Sequence, residues 1–192
     1  MTALLTVALT FGALVGCTGN TTGGTPTTPA STGTGQTSSA PTSSDSSSGL
    51  DISKYATKPC DTLKPDQLAT LGSVREGATS TGELGQKCTW RGQDVTKNTS
   101  YIVHVSEGMK FDDQAAGSKQ KNNLFEEKTI DGLRAYSTDG TDGAMYCLTT
   151  VESSKTSSIT VQVSSAAAER GTKKPCPEAE RVAQLIITNL KG

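Results

Sequence analysis

The sequence predicts an α+β fold: one small domain, Leu50 to Gly192, in which an antiparallel sheet of about five to six strands carries an N-terminal helix, a C-terminal helix and two disulfides. Three observations predict it. Short segments alternate with the period of a strand, as where Tyr101, Val103 and Val105 interleave with Ile102, His104 and Ser106. Near the C-terminus, Ala179, Val182, Leu185, Ile186 and Leu190 recur at helical spacing and make one apolar stripe. Four cysteines, Cys60, Cys88, Cys147 and Cys176, form an even set once Cys17 is set aside.

Residues 1–16 read as a signal peptide. The apolar stretch Ala3 to Val15 is too short to cross a bilayer as a mature helix but fits a leader core. No Lys or Arg precedes it, a departure from the usual leader that a start further upstream would account for. Leu14, Val15, Gly16 and Cys17 then form a lipobox-like motif. Small Gly16 suits a peptidase cleft, and the Cys17 thiol is the acceptor for a diacylglyceryl group, so palmitate-type acylation at Cys17 is expected. Two acyl chains on one residue suffice for stable anchoring, where one would be marginal.

Residues 17–49 begin with that cysteine and continue as Ser, Thr, Gly, Pro, Ala, Asn and Gln with a single acid, Asp45. No large apolar side chain is available to repay the entropy of ordering, so the segment reads as a disordered tether. A coil of this length spans roughly 30 Å root mean square. Its Ser and Thr density also makes it a candidate for O-glycosylation.

Within the domain, Pro65 suits the first position of a short helix ending near Leu71, with Asp66 at the positive end of its dipole and Gly72 as the stop. Strands follow at Lys87–Arg91 and Ser100–Glu107. Met109–Ser118 is weakly helical. Leu124–Ile130 and Leu133–Ser137 form a hairpin through Asp131-Gly132, and two more strands are read at Ala144–Val151 and Ser158–Ser164. The final helix is expected to start at Cys176, with Pro177 at its first position, and to run about 13 residues.

The cysteines place the domain in an oxidising compartment. Their spacings of 28, 59 and 29 contain no C-x-x-C pair and the chain has one His, so zinc ligation is not expected. Three pairings remain open; Cys60 with Cys88 and Cys147 with Cys176 is favoured because each bridge would tie a helix start to a strand.

Charge excludes one class of partner. Asp45 is the only acid before position 50, so 18 of the 19 acids balance 18 bases within the domain. Lys119 with Lys121 and Lys173 with Lys174 are short runs that read as solvated surface rather than a nucleic-acid face. His104 reads as an ordinary surface residue, since nothing nearby orients it as a base. The loop Asp139-Gly-Thr-Asp-Gly143 lacks the further ligands of a calcium site and reads as a turn. Glu126 with Glu127 and Asp112 with Asp113 are adjacent, so in a strand each pair would point to opposite faces. No nucleophile elbow, zincin, Walker or dinucleotide motif is present, so no enzyme activity, catalytic residue, metal or cofactor is expected.

Taken together, the lipobox, the tether, the Cys60–Gly72 helix, Cys88-Thr-Trp90, Asp131-Gly-Leu-Arg-Ala135, Cys147 and the Cys176 helix resemble the actinobacterial lipoprotein family Domain of Unknown Function 3558, over about residues 58 to 190. Thr62 to Lys64 depart from the usual Leu-Thr of the first helical turn. The resemblance implies an extracytoplasmic lipoprotein of an actinobacterium and brings no activity or catalytic residues.

The expectation is thus a lipid-anchored protein on the extracytoplasmic face of the cell membrane. Its domain is read as a non-enzymatic module that binds an envelope protein or wall component and not nucleic acid. Trp90, Tyr101 and Tyr136 are candidates for an exposed patch, with Trp90 beside Cys88 better read as packing on a disulfide. The alternative is a carrier or sensor of a lipid or other small hydrophobic ligand, which needs an underfilled cavity between helix and sheet.

Overall fold

The computed structural model describes residues 49–192; the lipobox, Cys17 and the proposed tether up to residue 48 lie outside the described residues. The described residues form one compact unit. Its frame is a seven-stranded antiparallel sheet in the order β1-β2-β3-β7-β6-β5-β4. The strands are β1 (Ala78–Gly82), β2 (Gly85–Trp90), β3 (Ser100–Glu107), β4 (Leu124–Ile130), β5 (Leu133–Asp139), β6 (Tyr146–Ser154) and β7 (Ser157–Ser164). Because β7 sits between β3 and β6, the meander β4 to β7 folds back onto the β1–β3 half and makes one sheet of the two.

The seventh strand corrects the expected five to six. Ala78-Thr-Ser-Thr-Gly82 has no large apolar side chain and four of its five residues are exposed, so no alternation marks it. Its ladder with β2, from Ala78↔Thr89 to Gly82↔Gly85, supplies the pairing that the sequence pattern does not announce. The β4–β5 hairpin turns at Asp131 and Gly132, with φ of 52° and 84°, the left-handed pair that a two-residue turn requires.

Four helices flank the sheet: α1 (Ser53–Ala56), α2 (Pro65–Ala69), α3 (Phe111–Lys121) and α4 (Pro175–Lys191). α2 ends two residues before the expected Leu71. α4 starts one residue earlier than expected and runs for 17 residues, not about 13. The first turn of a helix has no intrahelical partners for its N–H groups, so Pro175 takes the first position and Pro177 is tolerated behind it.

The core fills one face of the sheet. Val103, Val161, Val163 and Trp90 are at most 2% exposed, and α4 packs Ala179, Val182, Ala183 and Ile186 onto β6 and β7. Cys60, in the 3-10 turn Pro59–Thr62, is bridged to Cys88 of β2. Cys147 of β6 is bridged to Cys176 in the first turn of α4. Gly77 lies so close to the first bridge that a Cβ there would stand 2.6 Å from Trp90 Nε1 and 2.7 Å from Cys88 Sγ.

The three aromatic candidates for an exposed patch are all buried: Trp90, Tyr101 and Tyr136 are 2%, 0% and 3% exposed. Trp90 and Tyr101 are cross-strand partners on the core face, and Tyr136 lies on the other face between Phe111 and Phe125, each ring 5.3 Å away. His104, expected at the surface, is only 7% exposed, because β3 is flanked on both sides by neighbouring strands.

Candidate functional site

The face of the sheet opposite α4 is where polar chemistry collects. Strand alternation puts Cys88 and Trp90 into the core and therefore aims Lys87, Thr89 and Arg91 the other way. Across the ladders, Lys87 registers with His104, His104 with Thr160, Thr160 with Thr150 and Thr150 with Tyr136. The next row runs Thr89, Ile102, Gln162, Leu148, Thr138. Two of these hydroxyls satisfy each other, Thr150 and Thr160 at 2.9 Å.

His104 is the one imidazole, and its Nδ1 is buried without a hydrogen-bond partner. Burial, and behind it the neighbouring Lys87 charge, pushes its pKa down to about 4. It is therefore neutral at ordinary pH.

Two recesses flank this row. The larger is an open groove of about 590 Å³ at the β1–β2–β3 end, whose lining includes Arg75, Lys87, Arg91, Thr89, Ser100 and Ser164. Arg75 reaches it from the loop before β1. That loop is strapped to the loop after β2 by Arg75 N donating to Arg91 O at 2.7 Å and by Arg75 Nη2 donating to Gln93 O at 3.0 Å. Gly92 permits the loop between β2 and β3 to close tightly on itself, because a Cβ there would fall 2.0 Å from the Asn98 carbonyl oxygen. The smaller recess, about 280 Å³, lies under α3 and is bordered by Met109, Gln114, Asn122, Tyr136 and Thr150. α3 is held over it by Gln114 Nε2 donating to Ser158 Oγ at 3.2 Å and by an Asp112–Arg134 ion pair at 2.6 Å.

Beneath α4 the situation is the reverse. The apolar space bordered by Leu133, Val151, Ile159 and Ile186 has a volume of about 10 Å³, no more than a single water needs. The core is filled.

The remaining candidates are dispersed. Asp112 pairs with Arg134, and Glu126 pairs with Lys128, which also bonds Glu180 at 2.5 Å. Lys173, read as solvated, instead donates to Leu71 O at 3.1 Å, pairs with Glu169 at 3.3 Å and lies 5.9 Å from the Tyr101 ring centre. In the Asp139–Gly143 loop the carboxylates serve their own backbone: Thr141 N donates to Asp139 Oδ1 at 2.6 Å and Ala144 N to Asp142 Oδ1 at 3.0 Å. Among the described residues no cluster of three His, Cys, Asp or Glu could hold a metal, and no helix is long and apolar enough to cross a membrane.

The groove cations Arg75, Lys87 and Arg91 are absent from the expected site residues. The signal for two of them was present, since Lys87, Thr89 and Arg91 alternate with Cys88 and Trp90. Arg75 enters through a loop-to-loop strap that spacing does not encode.

The pattern of a family described as protein of unknown function (DUF3558) matches residues 12–189. No curated protein and no solved structure matches the chain.

Proposed function

We propose, from the premise that this chain belongs to the DUF3558 family, that it is a lipid-anchored extracytoplasmic protein whose domain is a non-enzymatic binding module of the cell envelope. The lipobox ending in Cys17 supports the address. The observation that carries the binding reading is the open sheet face, where a groove of about 590 Å³ lies opposite a core with a space of only about 10 Å³ beneath α4. A fold that only had to be stable would gain nothing from keeping Arg75, Lys87 and Arg91 together around a recess. The neutral, buried His104 has no acid or base aligned with it, which favours recognition over catalysis. A carrier of hydrophobic ligands would need room under α4, and the space of about 10 Å³ there does not favour it.

The test is site-directed photo-crosslinking in intact cells, with the reactive amino acid at Thr89 in the groove or at exposed Gln184 on α4. Discrete adducts of the same mass from Thr89 and none from Gln184 are expected. Equal yields from both positions, or no adduct from either, would overturn the reading.

A further inference from the structure

We propose that the groove at the β1–β2–β3 end binds a phosphodiester polymer of the envelope, an extended polyanion of hydroxylated units, through Arg75, Lys87 and Arg91. This rests on the binding-module reading and names its ligand. The first ground is charge. Glu76 is the only acid among the lining residues, and none of the three cations forms an ion pair among the described residues, whereas Lys128, Arg134, Lys173, Arg181 and Lys191 all do. Three unpaired cations around one recess leave a local positive field that an anion neutralises. Lys87 acts as a point charge and the two guanidinium groups as planar forks, the combination that suits phosphate oxygens.

The second ground is the balance of donors and acceptors. Ser80, Thr89, Ser100 and Ser164 add hydroxyl donors to the cations. In the groove floor the backbone of β2 and β3 is committed to the ladders with β1 and β7, and only the outer edge of β1 keeps main-chain groups outside a ladder. A peptide laid across this floor would find few acceptors for its own N–H groups, while a phosphodiester chain brings mainly acceptors. No aromatic side chain lines the groove, so it has no platform on which nucleobases could stack.

The third ground is position. The described chain enters the sheet where Leu50 N donates to Ser153 O at 2.9 Å, at one end of β6. The groove reaches Ser164, which registers with Tyr146 at the other end of that strand. The separation is about 24 Å at 3.4 Å per residue. Leu50, near the start of the described residues, therefore lies at the far end of β6 from the groove.

The experiment is fluorescence anisotropy of a labelled glycerol phosphate oligomer titrated with the mature protein in non-ionic detergent. Saturable binding is expected, weakened on the order of 100-fold by a tenfold rise in salt, as three phosphate contacts at about −0.7 each imply. The triple variant R75Q, K87Q, R91Q should lose at least 30-fold in affinity. A control triple variant K58Q, K110Q, K174Q removes the same charge elsewhere and should bind as the parent does; circular dichroism melts confirm that both fold. The proposal is overturned if the groove variant binds undiminished, if both variants lose equally, or if vesicles of anionic phospholipid are bound while the oligomer is not. Failure here with Thr89 crosslinks still present would remove the polymer and leave the binding module standing.

Discussion

Tyr101 Oη donates a hydrogen bond to Glu178 Oε1 at 2.8 Å, joining the start of β3 to the first turn of α4. The same carboxylate receives Arg181 Nε at 2.9 Å and Nη2 at 2.8 Å. Burial pushes the phenol pKa well up, and the Glu178 carboxylate pushes it further. For Glu178, burial acts upward, but the hydrogen bonds from Arg181 and Tyr101 outweigh it and hold the carboxyl below its usual value. Tyr101→Phe removes one partly buried hydrogen bond to a charged acceptor and should cost about 1–2 kcal/mol in urea unfolding, with the fold retained.

Gly77→Ala tests the packing around the first disulfide. The added methyl meets Trp90 Nε1, Cys88 Sγ and Cys60 Sγ at 2.6, 2.7 and 3.0 Å, and none of these is the tip of a flexible chain. Overpacking of this kind costs about 1–3 kcal/mol, so thermal melting should fall by several degrees.

His104 makes the domain acid-sensitive in a defined window. Its pKa is about 4 in the folded state against 6.5 for the unperturbed group, so below pH 6.5 the unfolded chain binds the proton that the fold rejects. Its contribution is intact above pH 6.5, declines as pH falls, and is fully lost below about 4, on the order of 3 kcal/mol in all. His104→Leu should melt with less dependence on pH between 6.5 and 4 than the parent. The carboxylates that titrate in the lower part of that range are common to both proteins and cancel in the comparison.

The double variant Cys147→Ser, Cys176→Ser releases a loop of 29 residues and frees the first turn of α4 from β6. A loss of about 3 kcal/mol is expected on the chain-entropy account. Because α4 supplies Ala179, Val182 and Ile186 to the core, amide exchange should rise first at its N-terminal end.

Strong local patterns were legible in the sequence. The alternation of Tyr101, Val103 and Val105, the Asp131-Gly132 turn and the stripe along α4 each reflect burial of one face, which the residue pattern must record. β1 was not legible, because an exposed edge of Ala, Thr, Ser and Gly is held by its main-chain ladder with β2 and by side-chain bonds such as Gln86 Nε2 to Thr81 Oγ1, neither of which leaves an apolar alternation. The depth of His104 and the enclosure of Tyr136 escaped for a related reason. Alternation tells which side of a strand a residue takes, but not what the strand's neighbours, or α3 above them, do to its exposure. The groove depends on Arg75 and Arg91 meeting through a loop strap, a tertiary event with no sequence spacing of its own.

The measurement that bears most directly on the whole account is the intact mass of the protein extracted from its native membrane. A chain beginning at Cys17, carrying a diacylglyceryl group and four hydrogens lighter than its reduced form, is the predicted result, with Cys17→Ala releasing the protein from the membrane. A chain that keeps residues 1–16, bears no acyl mass and titrates as five free thiols would contradict it.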